Sequence, residues 1–296
     1  MRVVVVAAVT LLGVLAGAGH APAADPSWPQ EITFALLSTE SAPEILKRWT
    51  PILGQLEKDL GIRVKHTTAT DYRGTIEALR FRKAEVGWLG PKAYVEATHN
   101  NYANVDAIAQ VQLANGSLGY RSCLIVHADS DIFSPEDIGA KSFAFNDPNS
   151  TSGYLVPMTF FLTEMGIDPK TYFSKLTFSG SHEASIIAVA NKKVDVASTN
   201  LPDMQQLVRE NKIPRTSLRV IWVSKLIPND PVAVRKDLPA SLRQAIQESL
   251  VDMKAKHPQV FVQGGAFFGG FVQADDSKYQ IIRDLNETTK KLAAKK

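Results

Sequence analysis

The chain has 296 residues, 33 of them Lys or Arg and 30 Asp or Glu, for a formal charge of +3. So close a balance, with no block of five or more like charges, gives little long-range attraction to nucleic acid and argues against a nucleic-acid partner. With 45% hydrophobic residues and one cysteine, the chain can build one large core or two ordinary ones and has no internal disulfide to close.

In chain order, Met1-Arg2, an apolar run over 3–15 and Ala21-Pro22-Ala23 have the form of a secretory leader, so 1–24 is assigned as a signal peptide and the remainder as an exported protein. No later stretch reaches the roughly 18 consecutive apolar residues of a spanning helix. A strand is predicted at 32–37, followed by the polar loop Ser38-Thr39-Glu40-Ser41. Ile45, Trp49, Ile52, Leu53, Leu56 and Leu60 then recur at helical spacing, with Pro51 expected to break or kink the helix early and Gly61 to stop it. A strand at 64–67, a helix at 75–83 and a strand at 86–89 continue an alternation that predicts α/β layers around a largely parallel sheet.

From Arg121 the pattern restarts. A strand at 122–126 contains Cys123 as a small apolar residue, and Ser134-Pro135-Glu136-Asp137 carries the cap, proline and acidic residues of a helix start. The run 142–146 reads as a buried strand and Leu155 onward as a helix, with Asp147-Pro148-Asn149-Ser150-Thr151-Ser152-Gly153-Tyr154 between them. Strands follow at 176–179, 194–197, 218–223 and 232–235, and helices at 183–192, 203–211, 238–255 and from Lys278 on. Lys290-Lys291 and Lys295-Lys296 read as a solvated helix end. Two such sets, with the last portion returning, predict two lobes: 25–121 with 225–296, and 122–224. The chain would cross between them near 119–126 and 220–228.

Ligands of open α/β sheets bind beyond the carboxyl ends of strands. Five loops satisfy that condition: 38–41, 88–91, 147–154, 181–183 and 228–230. The third is the most informative, because a helix start has unpartnered N–H groups and Ser150, Thr151 and Ser152 add three hydroxyls. On its own that stretch fits both a helix cap and an oxyanion site. Taken singly, Tyr72 and Asp230 also fit ordinary turns, His182 a helix's first turn, and Trp88 a core aromatic.

The order of these loops resembles the periplasmic phosphonate-binding proteins of ABC importers. The likeness rests on Ser38-Thr39-Glu40-Ser41, Asp71-Tyr72-Arg73-Gly74, Gly87-Trp88-Leu89-Gly90, 147–153, His182-Glu183, 188–192 with 194–197, and 226–231. It implies a type II periplasmic binding-protein fold, two α/β lobes joined by two crossing strands with the ligand cleft between them. It further implies that Ser150, Thr151, Ser152, His182 and Tyr72 hold the phosphonate oxygens and that Asp230 faces the organic end. Ser38, Trp88 and Leu89 would form the cleft wall. Against the pattern of aminoethylphosphonate binders, Leu89 stands where a second tyrosine is expected, and Leu201-Pro202-Asp203 lacks a glutamate unless Asp203 replaces it.

The role implied is non-enzymatic capture of phosphonate or a related phosphorus oxyanion (phosphite, methylphosphonate or aminoethylphosphonate) in the periplasm, with an inner-membrane permease as partner and no cofactor. The competing reading is a secreted phosphoryl-transfer enzyme or phosphoester hydrolase with Ser150 or Thr151 as nucleophile and His182 as base. The sequence offers it no Gly-x-Ser-x-Gly elbow and no third orienting group. The pairs His66 with Asp71 and His182 with Glu183 lack the spacing of a zinc site.

Overall fold

In the computed structural model, which describes residues 25–294, the first lobe begins β1 (Glu31–Leu36), α1 (Ala42–Leu60), β2 (Arg63–Thr68), α2 (Tyr72–Arg80), β3 (Val86–Trp88), α3 (Pro91–Thr98) and β4 (Val105–Leu113). The leader at 1–24 and Lys295-Lys296 lie outside the described residues. After β5 (Gly119–Tyr120) the second lobe runs β6 (Ser122–His127), β7 (Ser142–Phe145), α4 (Val156–Thr163), α5 (Pro169–Tyr172), β8 (Lys175–Phe178), α6 (His182–Ala190), β9 (Val196–Asn200), α7 (Leu201–Arg209) and β10 (Leu218–Val223). The chain returns through β11 (Ile227–Pro228) to β12 (Pro231–Arg235), α8 (Ala240–Lys256), α9 (Gln259–Gln263), β13 (Phe268–Gln273) and α10 (Gln280–Ala293).

Among the described residues the strands form a six-stranded sheet ordered β13-β4-β12-β3-β1-β2 and a five-stranded sheet ordered β10-β6-β9-β7-β8. A two-stranded ribbon of β5 and β11 lies between them, pairing Tyr120 with Ile227. The sheets are mixed, which corrects the largely parallel expectation. β1, β2 and β3 pair in parallel, as do β7, β8 and β9, but β12 runs antiparallel to both β3 and β4, and β6 antiparallel to β9 and β10. The cause is the crossing itself: a chain that re-enters the first sheet from the cleft end runs against the strands that delivered it there.

α1 shows burial overriding local propensity. Pro51 lies inside the helix without ending it. The helix buries Ile45, Trp49, Ile52, Leu53, Leu56 and Leu60, which at about 1.5–3 kcal/mol per large side chain outweighs the roughly 3 kcal/mol cost of one interior proline. Gly61, at φ 66°, takes the left-handed turn that stops it. Trp49 centres the lobe, its ring 5.1 Å from Phe34, 5.3 Å from Trp88 and 5.4 Å from Phe268. In the second lobe Phe143 and Phe161 pack on one face of the sheet, Ile186 and Val189 on the other.

The helix start read at Ser134 has its capping box but yields only a 3-10 turn, Pro135–Ile138, because Gly139 and Ala140 follow with non-helical backbone. The helix expected from Lys278 begins instead with the 3-10 turn Asp276–Tyr279. α3, β4 and β13 were not foreseen, and the two glycines of Phe268-Gly269-Gly270-Phe271 disguise the last as a loop. α10 packs across both lobes: Thr289 Oγ1 meets Thr159 Oγ1 at 2.7 Å, and Asn286 donates to Glu96 at 3.0 Å. Lys290 is not merely solvated, since it lies 3.4 Å from Glu96.

Candidate functional site

A cavity of about 50 Å³ lies where the carboxyl ends of β1 and β3 face those of β7 and β9, beside the β5/β11 ribbon. At roughly 10–15 Å³ per water-sized sphere it has room for a handful of non-hydrogen atoms, so it suits a small ligand.

One wall is the stretch after β7. Asp147 Oδ1 accepts from Asn149 N at 2.6 Å and the Asp147 carbonyl from Ser150 N at 2.9 Å, an Asx-type turn that aims the chain into the helix. The helix opens not as α but as a π-turn over Thr151–Leu155, in which Leu155 N donates to Ser150 O and Val156 N to Thr151 O. Ser150 caps this turn, its Oγ accepting from Gly153 N at 3.0 Å. Capping and ligand binding are therefore compatible, because a hydroxyl that accepts from a cap amide keeps its own proton for a second partner. Thr151 is used in the same way: its Oγ1 accepts from Lys92 N, across the cleft at the start of α3, at 2.8 Å. The wider π-turn leaves the Thr151 and Ser152 amides without partners inside it. Gly153 is demanded by packing, since a Cβ there would fall 2.3 Å from Asn146 Cβ.

His182, at the start of α6, is buried and lines the same wall. Its Nδ1 lies 3.1 Å from Thr199 Oγ1 and its Nε2 3.5 Å from Ser152 Oγ. Burial pushes the imidazole pKa down and Asp203 only partly opposes it, so at neutral pH the ring is uncharged. Ser152 does not itself line the cavity; it backs His182 and accepts from Ser122 Oγ at its carbonyl, 2.7 Å away. The tyrosine of the hinge ribbon, Tyr120, completes this end. Its hydroxyl interacts with Thr151 and Ser152, and burial raises its pKa, keeping the phenol protonated.

The opposite end is acidic. Asp230 and Asp203 both line the cavity. Asp203 is fixed by the cap of α7: its N–H donates to Asn200 Oδ1 at 2.9 Å and its Oδ2 accepts from Asn200 Nδ2 at 2.7 Å. Asp230 sits on a pinned loop, where Asn229 Nδ2 donates to the Val111 and Ser117 carbonyls at 3.0 Å and Asn229 O accepts from Tyr279 at 3.0 Å. Burial, then the Asp203 charge, pushes the Asp230 carboxyl up to about 8. The Trp88 indole N–H alone works against that rise, from a position too loose to make a formed hydrogen bond. Tyr72 completes the rim, fully buried, with its pKa raised first by burial and then by Asp230 and Asp203.

Of the residues singled out from the sequence, Tyr72, Trp88, Ser150, Thr151, His182 and Asp230 converge on one cavity. Ser38 and Leu89 do not line it: Ser38 is buried within the 38–41 loop, and Leu89 is part of the first lobe's apolar core. The phenol expected at position 89 is supplied from elsewhere, by Tyr120. Tyr120, Thr39 and Asn200 were missed, and Asp203 was named only as a substitute. Tyr120 was within reach, since a crossing segment between two lobes must pass the cleft. The placement of Thr39 depends on how the lobes meet.

The family model described as ABC transporter, phosphonate, periplasmic substrate-binding protein matches residues 34–279. The phosphonates-binding periplasmic protein of Escherichia coli (strain K12) is 38% identical over 268 residues, covering 89% of this chain and 78% of the relative. A crystal structure of a binding protein component of an ABC phosphonate transporter from Pseudomonas aeruginosa superposes with a TM-score of 0.82 at 35% identity, covering 89% of this chain and 87% of that one. PhnD1 from Prochlorococcus marinus (MIT 9301), in complex with methylphosphonate, has the same fold at a TM-score of 0.78 and 22% identity, covering 88% and 99%.

Proposed function

The chain belongs to the family of periplasmic phosphonate substrate-binding proteins of ABC transporters, and from that premise we propose that it captures an ammonium-bearing phosphonate for import. Proteins of this family bind a phosphorus oxyanion and hand it on without turning it over, which decides against Ser150 or Thr151 as a nucleophile with His182 as base. The fold is the two-lobed type II arrangement.

The observation that carries the finer reading is the polarity of the cavity. Hydroxyl and imidazole donors from Ser150, Thr151 and His182 line one end, and the carboxyls of Asp230 and Asp203 line the other. The donors are neutral, so an oxyanion there would be held by convergent hydrogen bonds, with Tyr120 and Tyr72 adding phenols and Ser152 holding His182 in place. The Asp203 charge adds to what burial already costs an ionised Asp230, and an ammonium between the two carboxyls offsets that cost. Methylphosphonate or phosphite would use the donors and leave the carboxyls unanswered.

Residues 1–24 serve as the signal peptide, the mature chain works in the periplasm, and an inner-membrane permease receives the ligand. Among the described residues no helix is long and apolar enough to cross a membrane. The lobes are 25–121 with 225–296, and 122–224. Calorimetry at one pH with aminoethylphosphonate, methylphosphonate, phosphite, hypophosphite, phosphate and sulfate tests the reading. Aminoethylphosphonate is expected to bind at least about tenfold tighter than methylphosphonate, a difference of roughly 1.4 kcal/mol. Equal affinities would remove Asp230 and Asp203 from ligand recognition, and silence from every phosphorus oxyanion would remove the site.

A further inference from the structure

Outside the cavity, the two lobes cap each other's helices. Ser41 is the N-cap of α1, and Glu44 stands three residues on, the spacing of a capping box in which the Glu carboxylate would take the Ser41 N–H. That local pairing is not made. The Ser41 side chain makes no cap hydrogen bond, and its N–H donates instead to Glu183 Oε2 of the second lobe at 2.7 Å. Glu44 is turned toward the second lobe, with Oε1 3.2 Å from Lys212 Nζ there. Lys212 at the same time lies 2.8 Å from Glu183 and 3.4 Å from Glu210. In the other direction, α6 begins with its His182 and Glu183 amides both directed at the Thr39 carbonyl of the first lobe, at 3.0 and 3.4 Å, while its third free amide, Ala184, is met locally by Ser181 Oγ at 3.0 Å.

We propose that lobe closure exchanges the cap of α1, from Glu44 in the open protein to Glu183 in the closed one, and that Glu183 with Lys212 is thereby an affinity-setting latch that never touches the ligand. The exchange keeps the Ser41 amide satisfied in both states, so opening does not leave that group unpaired. It also frees Glu44 to meet Lys212 only when the lobes meet. Closure gains the Lys212 contact to Glu44 and the two bonds from the first amides of α6 to Thr39. The side chains involved are 12–23% exposed, so solvent screens the charges only in part.

The exchange makes Glu183 and Glu44 unequal, whereas a plain ion cluster would make them equivalent. Glu183→Ala removes the Ser41 contact, which exists only in the closed state, and the dissociation rate should rise about tenfold, the scale of one charge-assisted hydrogen bond. Glu44→Ala weakens the closed state at Lys212 and the open state at Ser41, and the rate should change less than about threefold. Dissociation is measured by stopped flow with aminoethylphosphonate, and the lobe separation by spin labels at Arg63→Cys and Lys175→Cys, both exposed positions in different lobes. The label distances report the latch even for a protein that binds none of the phosphonates, so failure of the ligand assignment is read separately. In support, Glu183→Ala shifts the distances toward the open state. Equal effects of the two substitutions would overturn the exchange. No effect of Glu183→Ala on distance would overturn the latch.

Discussion

Replacing Asp230 by Asn separates the two consequences of a buried carboxyl, one for the ligand and one for the fold. The side chain keeps its shape and loses its charge. With an ammonium in the cavity, the loss removes one of two carboxylate partners in a site walled off from bulk water, for which about 2–3 kcal/mol, or about 30- to 150-fold in affinity, is the expected scale. It stays at the lower end of the range for buried charges because Asp203 remains. For methylphosphonate the same change should alter affinity less than about threefold.

Without ligand the sign reverses. The folded-state pKa of Asp230 is raised from 3.8 to about 8, so between those values the folded chain binds a proton that the unfolded chain has released. Stability of the native protein through this group therefore falls as pH rises across that window, by up to about 1.4 kcal/mol per unit. An amide at this position carries no such penalty, and the advantage of Asp230→Asn in denaturant midpoint should widen from pH 5 to pH 8 and stop growing above it. Calorimetry with both ligands and denaturation at several pH values check the two halves. A variant that loses both ligands equally, or whose stability difference is flat with pH, would refute the assignment of Asp230 to a desolvated, cation-seeking position.

Ser150→Ala removes both a cap acceptor and a ligand donor, and should weaken phosphonate binding by about 1–3 kcal/mol, an effect calorimetry would detect and an unchanged dissociation constant would contradict. Gly153→Ala should abolish binding, because its Cβ would fall 2.3 Å from Asn146 Cβ and 3.0 Å from Ser150 Oγ and unwind the turn that carries the hydroxyls; wild-type affinity would mean the π-turn is not needed. Arg48, 3% exposed, pairs with Glu40 at 2.6 Å under the 38–41 loop, and burial first of all raises the Glu40 pKa to about 8. Arg48→Ala leaves Glu40 buried without its partner and should cost about 3–5 kcal/mol in urea denaturation, whereas Arg48→Met with Glu40→Gln should recover most of it.

Local signals alone determined much of this protein. The apolar spacing of α1, the Asp147-to-Gly153 turn and the Ser150 cap are decided by neighbours within a few residues, and they read correctly because nothing distant competes with them. The family resemblance, built from such stretches in order, carried the fold and brought Ser150, Thr151 and His182 to one cavity. Where distant contacts decide, sequence reading went astray. The run of β12 against its neighbours follows from where the returning chain re-enters the sheet. Leu89 and Tyr120 look interchangeable as occupants of a cleft wall, yet one faces the core and the other the ligand cavity, a choice made by strand register and the hinge ribbon. The pairing of Asp203 with Asp230 joins residues on opposite lobes, and so does the Glu183 carboxylate on the Ser41 amide. Contacts between lobes add no periodicity to either segment; only the closed tertiary structure decides which loop meets which.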